Sequence, residues 1–115
     1  MIQIVTTSRY KLNRKNLRSS IANLLLGKGV NSNHTINIVF IGKKKMKDIS
    51  ATYKKEDVAL PVLAFPYREQ HEEKKLLGEI FICYPQAVLL AAQKNKKVDV
   101  MSLQLVEHGI DNLLK

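Results

Sequence analysis

A single cysteine, Cys83, stands among 115 residues, which excludes an internal disulfide and suits a reducing compartment. There is no tryptophan and only three phenylalanines, so the basic residues are not backed by the aromatic face of a membrane-surface helix. No apolar run approaches the ~18 residues of a transmembrane helix. Residues Met1 to Thr7 are short and alternating, without the charged-then-apolar layout of a signal peptide. A cytoplasmic protein without a membrane partner is the expectation. No internal repeat, linker or low-complexity segment is visible. Acid is scarcest of all in the first half. Residues 1–55 carry twelve Lys/Arg against one acid, Asp48, a local net of +11, whereas residues 56–115 carry seven bases against nine acids, a net of −2. A basic half on a chain of net charge +9 is the footprint expected for a polyanion partner, with a solvated lysine-rich surface as the plainer alternative.

What is present fits one soluble domain over residues 1–115. Hydrophobic residues make up 45% and charged residues 25%, and a chain of this length buries roughly two-thirds of its unfolded surface. Ile2 to Thr7 alternates as a strand. Leu12 to Leu26 reads as a helix with Leu17, Ile21, Leu24 and Leu25 inward, stopped by Gly27-Lys28-Gly29. Thr35 to Ile41 is the clearest strand and, apolar on both faces in its second half, is expected to be central. Lys43 to Lys54 reads as a helix with Met46, Ile49 and Tyr53 as its stripe. Val62 to Phe65, framed by Pro61 and Pro66, is expected at a sheet edge. Tyr67 to Lys75 reads as a polar loop, and Leu76 to Cys83 as a strand. Pro85 opens a third helix running to about Lys94, and Asp99 is expected to cap a fourth with Leu103, Val106, Ile110 and Leu113 buried. The order βαβαββαα predicts an α+β domain, a mixed sheet of about four strands packed with about four helices.

Several residues invite chemistry. Lys43, Lys44, Lys45 and Lys47 crowd the start of a helix, where the dipole favours acids, so something other than helix stability keeps them there. Cys83 sits in an apolar run and reads as a buried, inert thiol. His34 and His71 read as solvated loop residues. Tyr53, Tyr67 and Tyr84 either pack, Tyr53 in the core, or stack on unpaired bases. His108 and Asn112 stand four apart, the spacing by which a helix offers two ligands to one zinc ion, yet the second is an amide. Asp111 lies three residues on. A catalytic zinc normally takes three protein ligands and leaves a position for water, and His108 alone does not provide that. His108 therefore reads in three ways: a structural or RNA-contacting residue, a general acid or base, or the metal ligand of a weak, incomplete site. Glu79, in an apolar strand, is either an edge acid or a partner for Lys54 or His108.

Three stretches in order carry a resemblance. They are Ile38 to Tyr53, then Val62-Leu63-Ala64-Phe65-Pro66, then Leu77-Gly78-Glu79-Ile80-Phe81-Ile82-Cys83 followed by a helix and Glu107-His108-Gly109. Together they resemble the YbeY family, bacterial rRNA maturation factors and metal-dependent endoribonucleases, over most of the chain. In that family a strand like TDVLSFP precedes one reading LGDI or LGEI with a cysteine after it. A signature helix reads HGxLHLxGxDH, its three histidines binding zinc. His108-Gly109 matches the first ligand and its glycine, Asn112 falls on the second histidine, and the third falls beyond Lys115, read here as the natural end. An arginine after the family's Thr-Tyr pair becomes Lys54, which keeps the charge and loses the planar fork. The Thr-Asp before Val-Leu becomes Leu60-Pro61, while Glu79 keeps its acid. The resemblance implies a YbeY-like endoribonuclease of ribosome biogenesis acting on single-stranded RNA or rRNA, with the small ribosomal subunit as partner. Zinc is the metal of related proteins, and none is expected to bind tightly here. The RNA-binding set is Arg14, Lys15, Arg18, Lys43, Lys44, Lys45, Lys47 and Lys54. His108, Lys54 and Glu79 are expected to share a cleft lined by the last helix and to support weak, metal-free cleavage. The alternative is a non-catalytic RNA- or ribosome-binding assembly factor; a toxin–antitoxin-like interaction module has only size and charge in its favour.

Overall fold

A computed structural model describes residues 1–31, 33–67 and 75–115, with the side chain of Lys75 outside the description. In chain order the elements are β1 (Ile2–Val5), α1 (Arg14–Gly27), β2 (His34–Ile41), α2 (Lys43–Tyr53), β3 (Val62–Pro66), β4 (Lys75–Cys83), α3 (Tyr84–Gln93) and α4 (Val98–Leu113). The expected α+β class and the βαβαββαα order hold. The strands lie in the order β1-β2-β4-β3, with β1 and β4 both parallel to β2 and β3 antiparallel to β4. β2 is central and β3 is an edge, as the apolar run and the flanking prolines indicate.

Strand alternation divides the sheet into two faces. On the inner face Ile4, Ile36, Ile38, Phe40, Ile80 and Ile82 join Leu17, Ile21 and Leu25 of α1, Ala87 of α3 and Val106, Ile110 and Leu113 of α4 in one core. On the outer face a smaller core gathers Ile41, Cys83 and Leu63 around Met46 of α2. α2 thus lies on one side of the sheet, and α1, α3 and α4 on the other.

Local chemistry fixes the helix ends. Asn13 rather than Leu12 begins α1: its Oδ1 accepts the Asn16 N–H at 3.1 Å. Leu12 is left just outside, in the same cluster as Leu17, the positions of a hydrophobic staple. At the other end Gly29 takes φ +80°, and the N–H groups of Gly29 and Val30 donate to the carbonyls of Leu26 and Leu25. That is a Schellman closure, with Val30 buried behind it. α3 begins at Tyr84, one residue before Pro85. α4 is capped by the backbone of Lys97 with no side-chain bond; Asp99 is its second residue and not the cap, still placed to complement the dipole. His34 is the half-buried first residue of β2, its Nδ1 3.0 Å from Asn31 Oδ1, and not a solvated loop residue. His71 lies outside the described residues.

Two glycines permit close packing. Between Thr35 and Ile36 the β2–β4 register skips Leu77, making a bulge. Gly78 leaves the bulge at φ +153°, where a Cβ would collide with the Phe65 carbonyl oxygen and lie 2.8 Å from Leu113 Cδ2. A Cβ on Gly109 would sit 2.7 Å from Ile80 Cγ2, so α4 rests directly on β4.

Candidate nucleic-acid interface

Because β1 and β2 run parallel as neighbours, their carboxyl ends open on the same side, the usual place for a ligand in such sheets. Thr6, Thr7, Arg9 and Tyr10 follow β1 there. Gly42 and Lys43 to Lys45 follow β2, and the two segments line a cleft of about 570 Å³. Gly42 is the N-cap of α2 and offers no side chain, and the first turn holds no acid. Among the described residues the first-turn amides therefore have no side-chain partner, and they present a partial positive charge. Lys43, Lys44 and Lys45 are all exposed around it. Among the described residues Asp48 is the one acid of the cleft, against three lysines and Arg9. Tyr10 stacks on Tyr84 with centroids 4.3 Å apart, pinning the segment after β1 against the start of α3. Tyr84 is thus engaged within the protein.

A second hollow, of about 550 Å³, lies between α2 and the outer face. Lys45, Ile49 and Tyr53 reach it from one stripe of the helix, Phe65 from β3, and Glu79 and Phe81 from β4. Phe65 packs edge-on to Tyr53 at 5.1 Å and to Phe81 at 5.7 Å. Tyr53 is 66% exposed and not core, because the inward position of its turn is taken by fully buried Ser50. Lys45 borders both hollows, so they form one continuous surface. Asn37 is the register partner of Glu79 on β2, and its Oδ1 has no hydrogen-bond partner among the described residues.

The expected site residues divide. Lys43, Lys44 and Lys45 come together in the cleft, joined by Arg9, which sequence reading missed; the signal available was a basic residue just beyond the first of two parallel strands. Arg14 borders an adjoining hollow that shares Thr6, Thr7 and Tyr10. Lys15 is exposed on α1. Arg18 Nε donates to the Ile2 carbonyl at 3.4 Å, at the far end of β1 from the cleft. Lys47 pairs loosely with Asp57 at 3.8 Å. Lys54 caps the far end of α2, about 16 Å along an eleven-residue helix from Lys43.

His108, Lys54 and Glu79 do not form the expected cluster. Glu79 alternates with Ile80 and faces α2, whereas Gly109 rests on Ile80 from the other side, so the sheet lies between Glu79 and the helix that bears His108. α4 does border a groove with α1, through Leu103 and Glu107, with His108 exposed outside it. The donors around His108 do not suit zinc. Asn112 is a neutral amide, and Asp111 is held by Lys28 Nζ at 2.6 Å, with Glu107 3.6 Å from the same nitrogen. Among the described residues no three His, Cys, Asp or Glu side chains gather as a ligand set. The hydrogen bond to Asp111 raises the pKa of Lys28. Burial pushes the Cys83 thiol above its ordinary 9.0, partly offset by the Gln86 backbone and the charge of Lys43, which makes it a poor nucleophile.

A model of the family described as Endoribonuclease YbeY matches residues 3–114. An Endoribonuclease YbeY of Thermodesulfovibrio yellowstonii is 34% identical over 80 residues, 69% of this chain and 50% of that protein. One from a Janthinobacterium species is 29% identical over 99 residues, 86% of this chain and 62% of that protein. The chain spans about half to two-thirds of the length of these relatives. A Thermotoga maritima protein solved in solution shares the fold, with a TM-score of 0.66 at 22% identity, over 100% of this chain and 73% of that one. No helix among the described residues is long and apolar enough to cross a membrane.

Proposed function

Because this chain belongs to the YbeY family of endoribonucleases, we propose that it acts on single-stranded RNA in cytoplasmic rRNA maturation on the small ribosomal subunit, with the strand held in the basic cleft. One observation carries this reading: Arg9, three lysines and an uncapped helix start converge where two parallel strands end. Phosphates suit that surface, because the lysines supply charge and the first-turn amides supply oriented donors. Arg14 extends it through the adjoining hollow; Lys15, Arg18, Lys47 and Lys54, which lie away from the cleft, act as diffuse attraction.

RNA carries its own nucleophile. Its 2′-hydroxyl attacks the adjacent phosphate once a base takes the proton; the P–O5′ bond breaks as the 2′,3′-cyclic phosphate forms, the 5′-oxygen leaves as a hydroxyl by taking up a proton, and a cation steadies the charge that develops in between. His108, exposed on α4 and outside the basic cleft, is the proton-transfer group of the nuclease reading, acting without Glu79 and on a stretch of the strand other than the one the cleft lysines hold. The donors present around His108 do not fit zinc, so no step is assigned to a metal. The second reading, a non-catalytic RNA-binding assembly factor, is favoured by the separation of Glu79 from the helix that bears His108.

Binding of single-stranded RNA across a salt series tests the cleft. With about three phosphate contacts, each worth about −0.7 in the slope of log K against log salt, Lys43→Glu/Lys44→Glu/Lys45→Glu weakens binding roughly 50-fold at 0.15 M salt and flattens the slope by about 2. Unchanged affinity assigns these lysines to a merely solvated surface. Cleavage that persists in chelator, falls with His108→Ala and leaves 2′,3′-cyclic phosphate ends supports the nuclease. Binding without His108-dependent cleavage supports the assembly factor.

A further inference from the structure

We propose that the hollow between α2 and the outer face of the sheet is a pocket for one unpaired base, selective for guanine. This deepens the RNA-binding reading above and rests on it. Its walls are Tyr53, Phe65 and Phe81, with Ile49 beneath and Glu79 and Lys45 as its charged groups. Tyr53 is braced by the edge contact with Phe65 yet remains mostly exposed, so its ring has free surface for a base. Stacking on such a ring is tolerant of base identity. The selectivity comes from Glu79.

An ionised carboxylate only accepts hydrogen bonds, and it accepts best from two parallel donors. Guanine alone of the four bases presents two adjacent donors, N1–H and N2–H, on its Watson–Crick edge. Adenine and cytosine each set one amino group beside a ring nitrogen lone pair, and uracil flanks its one N–H with two carbonyl oxygens. In a single strand that edge is free to be read. Glu79 is exposed in the hollow, so it meets the base without a rearrangement of the core. Lys45 stands between this pocket and the basic cleft, so a strand whose phosphates follow the cleft delivers its next base here.

The test uses the full chain and 2′-O-methyl pentamers, which cannot be cleaved through the 2′-oxygen: UUGUU, UUIUU, UUAUU, UUCUU and UUUUU, read by fluorescence anisotropy. UUGUU is expected to bind about tenfold or more tighter than UUAUU, UUCUU and UUUUU, with inosine, which keeps N1–H and lacks the amino group, in between. Glu79→Gln removes the guanine advantage, read as the ratio of UUGUU to UUUUU affinity within the variant. Tyr53→Ala weakens all five, again about tenfold. Both side chains are exposed, so neither change empties the core. Equal affinity for the five pentamers, or a guanine advantage that survives Glu79→Gln, overturns the pocket while leaving the RNA-binding cleft standing. Failure of every pentamer and of long poly-U to bind overturns the RNA reading itself, and this proposal with it.

Discussion

The inner and outer faces of the sheet come from the same four strands, yet they differ in how they are covered. Inside, Ile36, Ile38, Phe40, Ile80 and Ile82 are each at most 3% exposed beneath three helices. Outside, one eleven-residue helix covers only Ile41, Leu63, Cys83 and their neighbours, and Val5 remains 54% exposed. Gln3 and Glu79, on the same face, are also open to solvent. Alternation assigns one set of residues to holding the domain together and frees the other for contact with a ligand. Adjacent residues of one strand should therefore answer to different experiments.

The sharpest way to break that contrast is to cut both sides of one strand. Ile80→Ala removes a fully buried side chain that carries α4, and should cost about 3–4 kcal/mol in urea unfolding. Glu79→Ala, one residue earlier, should change stability by no more than about 0.5 kcal/mol. Comparable losses would mean that the outer face also bears on the core. A middle-sized effect is expected at the contact between α4 and the inner face. Gly109→Ala gains up to about 1 kcal/mol of helix propensity but presses a methyl group into Ile80, so a net loss of about 1 kcal/mol is expected from the same measurement. A stabilised variant would show that α4 can lift off β4 at little cost.

The smallest effect concerns the covered part of the outer face. Cys83 is buried, and its folded pKa lies above the ordinary 9.0. Its contribution is complete below pH 9 and is lost as pH rises through the folded value, because the unfolded thiol ionises first. The urea midpoint of the native protein should fall more steeply between pH 8 and pH 10 than that of Cys83→Ala. Parallel curves, or rapid reaction of the native thiol with a disulfide reagent at pH 8, would show that α2 does not seal this region.

Much of the architecture was legible locally. The β-branched run Thr35–Ile41 marked the central strand, the prolines around Val62–Phe65 marked an edge, and Gly29 marked the end of α1. Asp99 misled because its side chain suits a cap, while the chain enters the helix two residues earlier. The lysines of α2 stood out because they contradict the helix dipole, so part of the site was visible as a local conflict. Arg9 was not, since only the parallel pairing of β1 with β2 brings it beside residues more than thirty positions later. The opposed facing of Glu79 and His108 was half legible. Alternation separates Glu79 from Ile80, but which face the last helix covers is decided by tertiary packing and by no local propensity.

The bulge at Leu77 has a consequence for how tolerant the outer face is to change. Before it, even-numbered Leu76 pairs with odd-numbered Thr35; after it, even-numbered Gly78 and Ile80 pair with even-numbered Ile36 and Ile38. The strand thus changes phase once, at a single surplus residue. Everything after that point takes its facing from the pairing of Ile80 with Ile38, not from the segment that leads into β4. A shift of one residue upstream can be absorbed at Leu77 without turning Glu79 toward the core. The bulge works like a slip joint: it lets the lead-in to the strand drift in length while the side chains beyond it keep their aim.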